Sequence, residues 1–234
     1  MIPRRVRGFT LIELLTVMAI LGVLAGILIP TVRSARISAN KAKTRAQFGQ
    51  WSAGFEQFRQ EYGTYPQLFQ NAAQKLVNQG ASTQPTGNHL FHDILAGVRR
   101  DGQPLTGATT GTPTPALGQN KNRIRFVTFT DADFVTPMDV TAGRGTAQQA
   151  NLLRDAFYNT VIAVVTDTNL DGLINGRDTS GGYPGVTAAG TTTPNIRPTT
   201  VVVTGTQSGI RAGVLFYSAP PGATGENDLV MSWR

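Results

Sequence analysis

The chain has 234 residues, with 21 Lys and Arg against 14 Asp and Glu, and no cysteine. That length suits one modest globular domain plus one long element and requires no second core. The absence of thiols excludes a disulfide framework, a thiolate metal site and a cysteine nucleophile.

The net charge of +7 and pI ≈ 10.2 invite a nucleic-acid reading. The placement of the charge argues against it. Arg4, Arg5 and Arg7 lie near the start, while Arg33, Arg36, Lys41, Lys43 and Arg45 follow an apolar run. The excess therefore flanks a membrane segment, and no aromatic-studded basic strand accompanies it. Nucleic acid is not an expected partner. With 26 Gly and 13 Pro, the composition suits a loop-rich, strand-containing domain.

Residues 9–32 read FTLIELLTVMAILGVLAGILIPTV, with Glu13 as the sole ionisable side chain. About 20 such residues cross a bilayer core as a helix. The preceding arginines place the N-terminus in the cytoplasm and the rest of the chain outside. A cleaved secretory signal fits poorly, because the apolar run continues past Val23-Leu24-Ala25. A plain anchor leaves Glu13 without a partner, and a lone carboxylate at membrane depth costs about 2.5–3.5 kcal/mol even on lenient insertion scales.

Arg7-Gly8-Phe9-Thr10-Leu11-Ile12-Glu13-Leu14-Leu15 resembles the signal of type IV prepilins: a short basic leader, Gly, an aromatic residue, and an acid four positions on. The resemblance implies a leader at 1–8, cleavage between Gly8 and Phe9 by a prepilin peptidase, and N-methylation of Phe9. It also implies that Glu13 pairs with the Phe9 amine of a neighbouring subunit, with an inner-membrane assembly platform and homologous subunits as partners. The helix periodicity is compatible, since residues 9 and 13 share one face. The implied location is the bacterial inner membrane, single-pass, with the C-terminal domain periplasmic or carried in an extracellular filament.

Beyond residue 32 the chain is polar and Ala-rich. Phe48, Trp51, Phe55, Phe58 and Tyr62 then recur three and four apart, the stripe of a helix with one buried face. Gly63 is the expected C-cap and Pro66 bars continuation. One helix is thus predicted over 9–62, with Pro30 expected to kink or loosen it. Its membrane half covers 9–32, and its amphipathic half with the cap covers 33–66. The remainder, 67–234, is the globular domain. Short helices are predicted at 71–78 and 90–99, a loop at 105–120, and strands at 123–130, 160–166, 199–204 and 213–218. A helix followed by strands gives an α+β, pilin-like class: a long helix packed on a small antiparallel sheet.

The tail GVLFYSAPPGATGENDLVMSWR resembles the end of type II secretion pseudopilins, with Tyr217, Gly222, Gly225, Asp228 and Trp233 in order. The calcium site of those proteins uses an earlier acid, which Pro220-Pro221-Gly222-Ala223 lacks. Asp155-Ala156-Phe157-Tyr158-Asn159 looks like a degraded form of the same family's Asp-Pro-Trp-Gly-Asn turn. A second loop, DTNLDGLINGRD, places oxygen side chains at positions 1, 3, 5, 9 and 12 and Gly at 6, the spacing of an EF-hand-type calcium loop. Its candidate ligands are Asp167, Asn169, Asp171, Leu173 through its carbonyl, Asn175 and Asp178. Asp178 replaces the usual Glu, as in dockerin-like loops. Affinity of roughly 10⁻⁴–10⁻³ M would be expected, as in extracellular modules. An Asx-type turn is the competing reading of the same residues.

His89 and His92 lack a carboxylate cluster and read as surface or satisfied residues. No P-loop, nucleophile elbow or dinucleotide fingerprint is present, so no enzymatic activity is expected. A structural subunit of a pilus-like or pseudopilus filament is the leading function, with a type II secretion pseudopilin first, on the resemblance of the tail, and a minor pilin for adhesion, motility or DNA uptake next. A membrane-anchored calcium-binding module that never polymerises is the alternative.

Overall fold

The computed structural model describes residues 10–69, 75–84, 86–108, 110–111, 113–175, 178, 182–192, 195–198 and 209–233. Helix α1 spans Leu11–Tyr62, passes through Pro30 without an assigned break, and closes at Gly63, whose N–H donates to the Arg59 carbonyl. Compact units divide between Asn40 and Lys41. In the first, large apolar residues from Leu11 to Ile37 are exposed. Among the described residues, α1 is the one helix long and apolar enough to cross a membrane.

In the second unit α1 presents Thr44, Phe48, Trp51, Gly54, Phe55 and Phe58 to the core. The sheet beneath has three antiparallel strands in the order β1 (Ile162–Thr166), β2 (Val214–Ser218), β3 (Val230–Met231). Phe216 at the middle of β2 is the ring on which the stripe converges. It stacks on Phe48 at 5.8 Å and meets Trp51 and Phe55 edge-on at 5.5 and 5.6 Å. Phe91 of α2 (Leu90–Ala96) closes the cluster, 5.2 Å from Trp51.

Both faces of this sheet are covered. Ile162, Val164, Val214 and Phe216 face the α1 core, while Ala163, Val165, Leu215 and Tyr217 join a second cluster with Ile174, Val186, Ile196 and Leu229. That is why β1 and β2 read as continuous apolar runs without the alternation of a one-sided antiparallel strand.

The predicted helix at 90–99 is α2, shorter by one turn. The predicted strands at 160–166 and 213–218 are β1 and β2, and that at 199–204 lies outside the described residues. Two expectations are corrected. Residues 123–130 form no strand, because the N–H groups of Phe126 and Val127 both donate to the Leu95 carbonyl at the end of α2. Asn120 holds the approach to that segment, donating to the Ile94 and Ile124 carbonyls and accepting from the Ile124 N–H. Of the predicted helix at 71–78, the described part runs along the edge of β1. Leu76 bridges Ala163, and Val77 N–H donates to the Ile162 carbonyl. The edge of β1 would otherwise carry unpaired backbone groups, and this pairing outweighs local helix preference.

Among the described residues the shorter elements are α3 (Ala116–Gln119), α4 (Pro137–Thr141) and three single 3₁₀ turns, including Glu226–Asp228. Buried polar groups staple the loops. Asp155 accepts from the Phe157 and Asn159 N–H groups at 2.8 and 2.9 Å and from the Ser218 hydroxyl at 2.7 Å. Burial still pushes its carboxyl up to about 6. His89 is the N-cap of α2, accepting from the His92 N–H and bonding Asn78 through Nε2, while His92 pairs with Asp93 at 2.9 Å. Both histidines are satisfied by these partners.

Candidate functional site

The helix terminus is built by a reciprocal cap. Thr10 precedes the first helical residue, and Glu13 sits three positions later. The Thr10 N–H and hydroxyl donate to one Glu13 carboxylate oxygen at 2.9 and 2.7 Å, and the Glu13 N–H donates back to the Thr10 hydroxyl at 3.3 Å. This is the capping box that Thr-x-x-Glu encodes, and it satisfies backbone donors left open at any helix start. Thr10, a neutral partner three residues away, takes the place of the charged partner expected for Glu13. Glu13 therefore has a partner within its own chain. The second carboxylate oxygen stays exposed at the head of an apolar helical surface. Gly8 and Phe9 lie outside the described residues.

The acidic loop follows β1 directly. Asp167, Asn175 and Asp178 are buried, whereas Asn169 and Asp171 are exposed. Gly172, with φ +81, turns the chain back so that its N–H donates to Asp167 Oδ2 at 2.8 Å. Ile174, fully buried, then bridges Ile210 through two backbone hydrogen bonds, which fixes the loop exit. Asp178 folds back on the loop start. Its Oδ1 accepts from the Thr168 N–H and hydroxyl at 2.7 and 2.8 Å, and its Oδ2 accepts from the Asn175 N–H at 3.0 Å.

At the exposed lip, Asn169 Oδ1 accepts from the Asp171 N–H, and Asp171 accepts from the Leu173 N–H and the Asn169 amide. These are Asx-type turns, so the competing reading of the sequence is realised in part. They leave one oxygen over. Asp167 Oδ1 is buried and has no hydrogen-bond donor. Among the described residues, no three acidic or histidine side chains converge as they stand. Asp167, Asn175 and Asp178 form a buried floor, with Asn169 and Asp171 held above it at the surface.

The C-terminal segment brings together several of the residues picked out in sequence. Tyr217 and Trp233 meet edge-on at 5.9 Å, and the Tyr217 hydroxyl donates to the Pro184 carbonyl at 2.5 Å. Asp228 accepts from the Thr224 and Gly225 N–H groups at 2.9 and 3.2 Å, and the Thr224 N–H is the main cause holding its carboxyl below the usual range. Asp228 is thereby committed to the backbone of its own turn.

With this geometry in view, comparison with known proteins gives two matches. The prokaryotic N-terminal methylation motif matches residues 3–29. A type IV major alpha-pilin of Moraxella bovis is 30% identical over 125 residues, covering 50% of this chain and 72% of the relative. No solved structure matches significantly.

Proposed function

The chain belongs to the type IV pilin family, and on that premise we propose that it is a processed subunit of a pilus-like filament assembled through the membrane half of α1. Family membership makes it a structural protein rather than an enzyme, one that assembles with other pilin subunits and carries a single apolar N-terminal helix suited to a membrane anchor.

The observation that supports the finer reading is the pairing of an exposed apolar helical surface, from Leu11 onward, with one carboxylate at its head. Such a surface has no apolar counterpart within its own unit and calls for lipid or neighbouring helices. Cleavage between Gly8 and Phe9 creates a cationic amine one turn before Glu13. In the membrane-resident monomer, Thr10 keeps the carboxylate hydrogen-bonded. On assembly, the Phe9 amine of a neighbour takes the free oxygen, neutralises the buried charge and sets axial register.

The test expresses the full chain with and without a prepilin peptidase and reads the intact mass and first residue. A start at N-methylated Phe9 only when the peptidase is present is expected. Glu13→Ala should be processed normally and inserted, but should not enter filaments. Filaments built from Glu13→Ala at wild-type levels would sink the assembly role.

A type II secretion pseudopilus is a second reading, favoured by the tail, where Tyr217 and Trp233 meet edge-on and Asp228 caps the turn at 224–225. Cells lacking the protein separate the two. Loss of long surface fibres favours a pilus, and secreted enzymes trapped inside favour the pseudopilus.

A further inference from the structure

We propose that the loop from Asp167 to Asp178 is a low-affinity calcium site, with Asp167 Oδ1 as its preset anchor and Asp171 as the ligand that swings in on binding. The position of the orphaned oxygen carries this. Asp167 is fully buried, and its other carboxylate oxygen accepts from the Gly172 N–H, so the carboxylate lies inside the loop rather than beside it. A buried carboxylate oxygen without a donor is a standing cost that native chains remove with a partner. Among the described residues, no donor fills that role for Asp167 Oδ1.

The chemistry around the oxygen selects a hard cation. Every candidate ligand is an oxygen: Asp167, Asn169, Asp171, the Leu173 carbonyl, Asn175 and Asp178. Oxygen-only sets with mixed carboxylate, amide and carbonyl donors suit Ca²⁺, which accepts six to eight ligands in flexible geometry. Carboxylate and amide oxygens each carry two lone pairs, so the hydrogen bonds within the metal-free loop leave Asp171 and Asp178 able to coordinate.

Among the described residues, two cations act on the loop. The Lys75 ammonium donates to the Asp178 backbone carbonyl, and Arg59 acts on Asp167 through space. Burial pushes the Lys75 amine down to about 8. Neither of these cations hydrogen-bonds Asp167 Oδ1. Cations beside the carboxylates weaken the hold on a cation, and an affinity of roughly 10⁻⁴–10⁻³ M is expected. In a chain without cysteine, such an ion would tie the exit of β1 to the Ile174–Ile210 bridge, a clip made after folding begins. The site does not depend on the filament reading and stands or falls separately.

The test is calcium binding to the full chain in detergent, by equilibrium dialysis with calcium chloride and by thermal shift, with magnesium chloride as control. Saturable binding of one Ca²⁺ at sub-millimolar to millimolar concentration, with a rise in midpoint that chelator reverses, is expected. Asp171→Asn, at an exposed position that leaves the fold intact, should weaken binding tenfold or more, and Asp167→Asn should abolish it. No saturable binding up to about ten times the upper expected constant, an equal response to magnesium, or binding unchanged in Asp171→Asn would each overturn the site.

Discussion

The two halves of α1 share one backbone and have opposite surfaces. From Leu11 to Ile37 the large apolar residues are exposed on every side, whereas Phe48, Trp51, Phe55 and Phe58 are at most 2% exposed on a single face. Apolar content alone does not tell these halves apart. Their patterning does: an all-round apolar helix needs partners outside its own unit, and a striped one packs on its own domain. The first half leaves its apolar side chains exposed, and the second is the core of the folded unit.

The sharpest way to break that contrast is to remove Trp51, which touches Phe48, Phe91 and Phe216 at once. Trp51→Ala should cost about 3–5 kcal/mol of domain stability. Membrane insertion should be untouched, since the apolar half is unaltered. Urea denaturation in detergent, followed by near-ultraviolet circular dichroism, reads the first, and membrane fractionation the second. An unmoved midpoint would mean that the aromatic stripe is not the core.

A smaller effect sharpens the boundary between the faces of the striped half. A Cβ at Gly54 would sit 2.3 Å from Val127 Cγ2, a stiff β-branched side chain, whereas nothing lies within 4 Å of one at Gly49. Gly49→Ala should therefore stabilise the chain by about 0.8–1 kcal/mol through helix propensity. Gly54→Ala should destabilise it by about 1 kcal/mol or more despite the same gain. Equal midpoints for the two variants would contradict the close approach of residues 126–127 to α1.

A pH-dependent contrast concerns two buried groups that pull in opposite directions with pH. Asp155 is raised from 3.8 to about 6, chiefly by burial, so its contribution is full below about 4 and is lost as pH rises through 6. His89 is lowered from 6.5 to about 3, again chiefly by burial, so its contribution is full above 6.5 and is lost as pH falls towards 3. Between pH 6 and 4 the two slopes oppose each other. Asp155→Asn should then lose stability as the pH falls through that range, and His89→Asn, which keeps a good N-cap residue, should gain it. Each slope is at most about 1.4 kcal/mol per pH unit. Denaturation midpoints across the range check both, and parallel profiles for the two variants would refute the assignment.

Features written in short-range spacing were legible without coordinates. The apolar run, the Thr10–Glu13 spacing, the aromatic stripe, Gly63 as the helix stop and the two Val- and Phe-rich strands all follow from periods of 3.6 and 2 or from single-residue backbone preferences. The prepilin-like start belongs to the same class. So does the oxygen pattern of the acidic loop, since both are strings of neighbours in sequence.

What the tertiary structure alone decided are the places where one backbone group had to choose among distant partners. Residues 123–130 have strand-like composition, yet they strap onto the Leu95 carbonyl because Asn120 holds them against the end of α2. Residues 75–77 pair with β1 because that edge needs covering, and the two-residue strand β3 exists because β2 offers Tyr217 and Ser218 a second neighbour. In the acidic loop the spacing named six candidate ligands. Which of them are buried, and that one oxygen of Asp167 is left without a donor, came from how β1 and the Ile174–Ile210 bridge pack around them. Local spacing fixes which groups are available. Burial, a property of the whole fold, fixes which of them must find a partner.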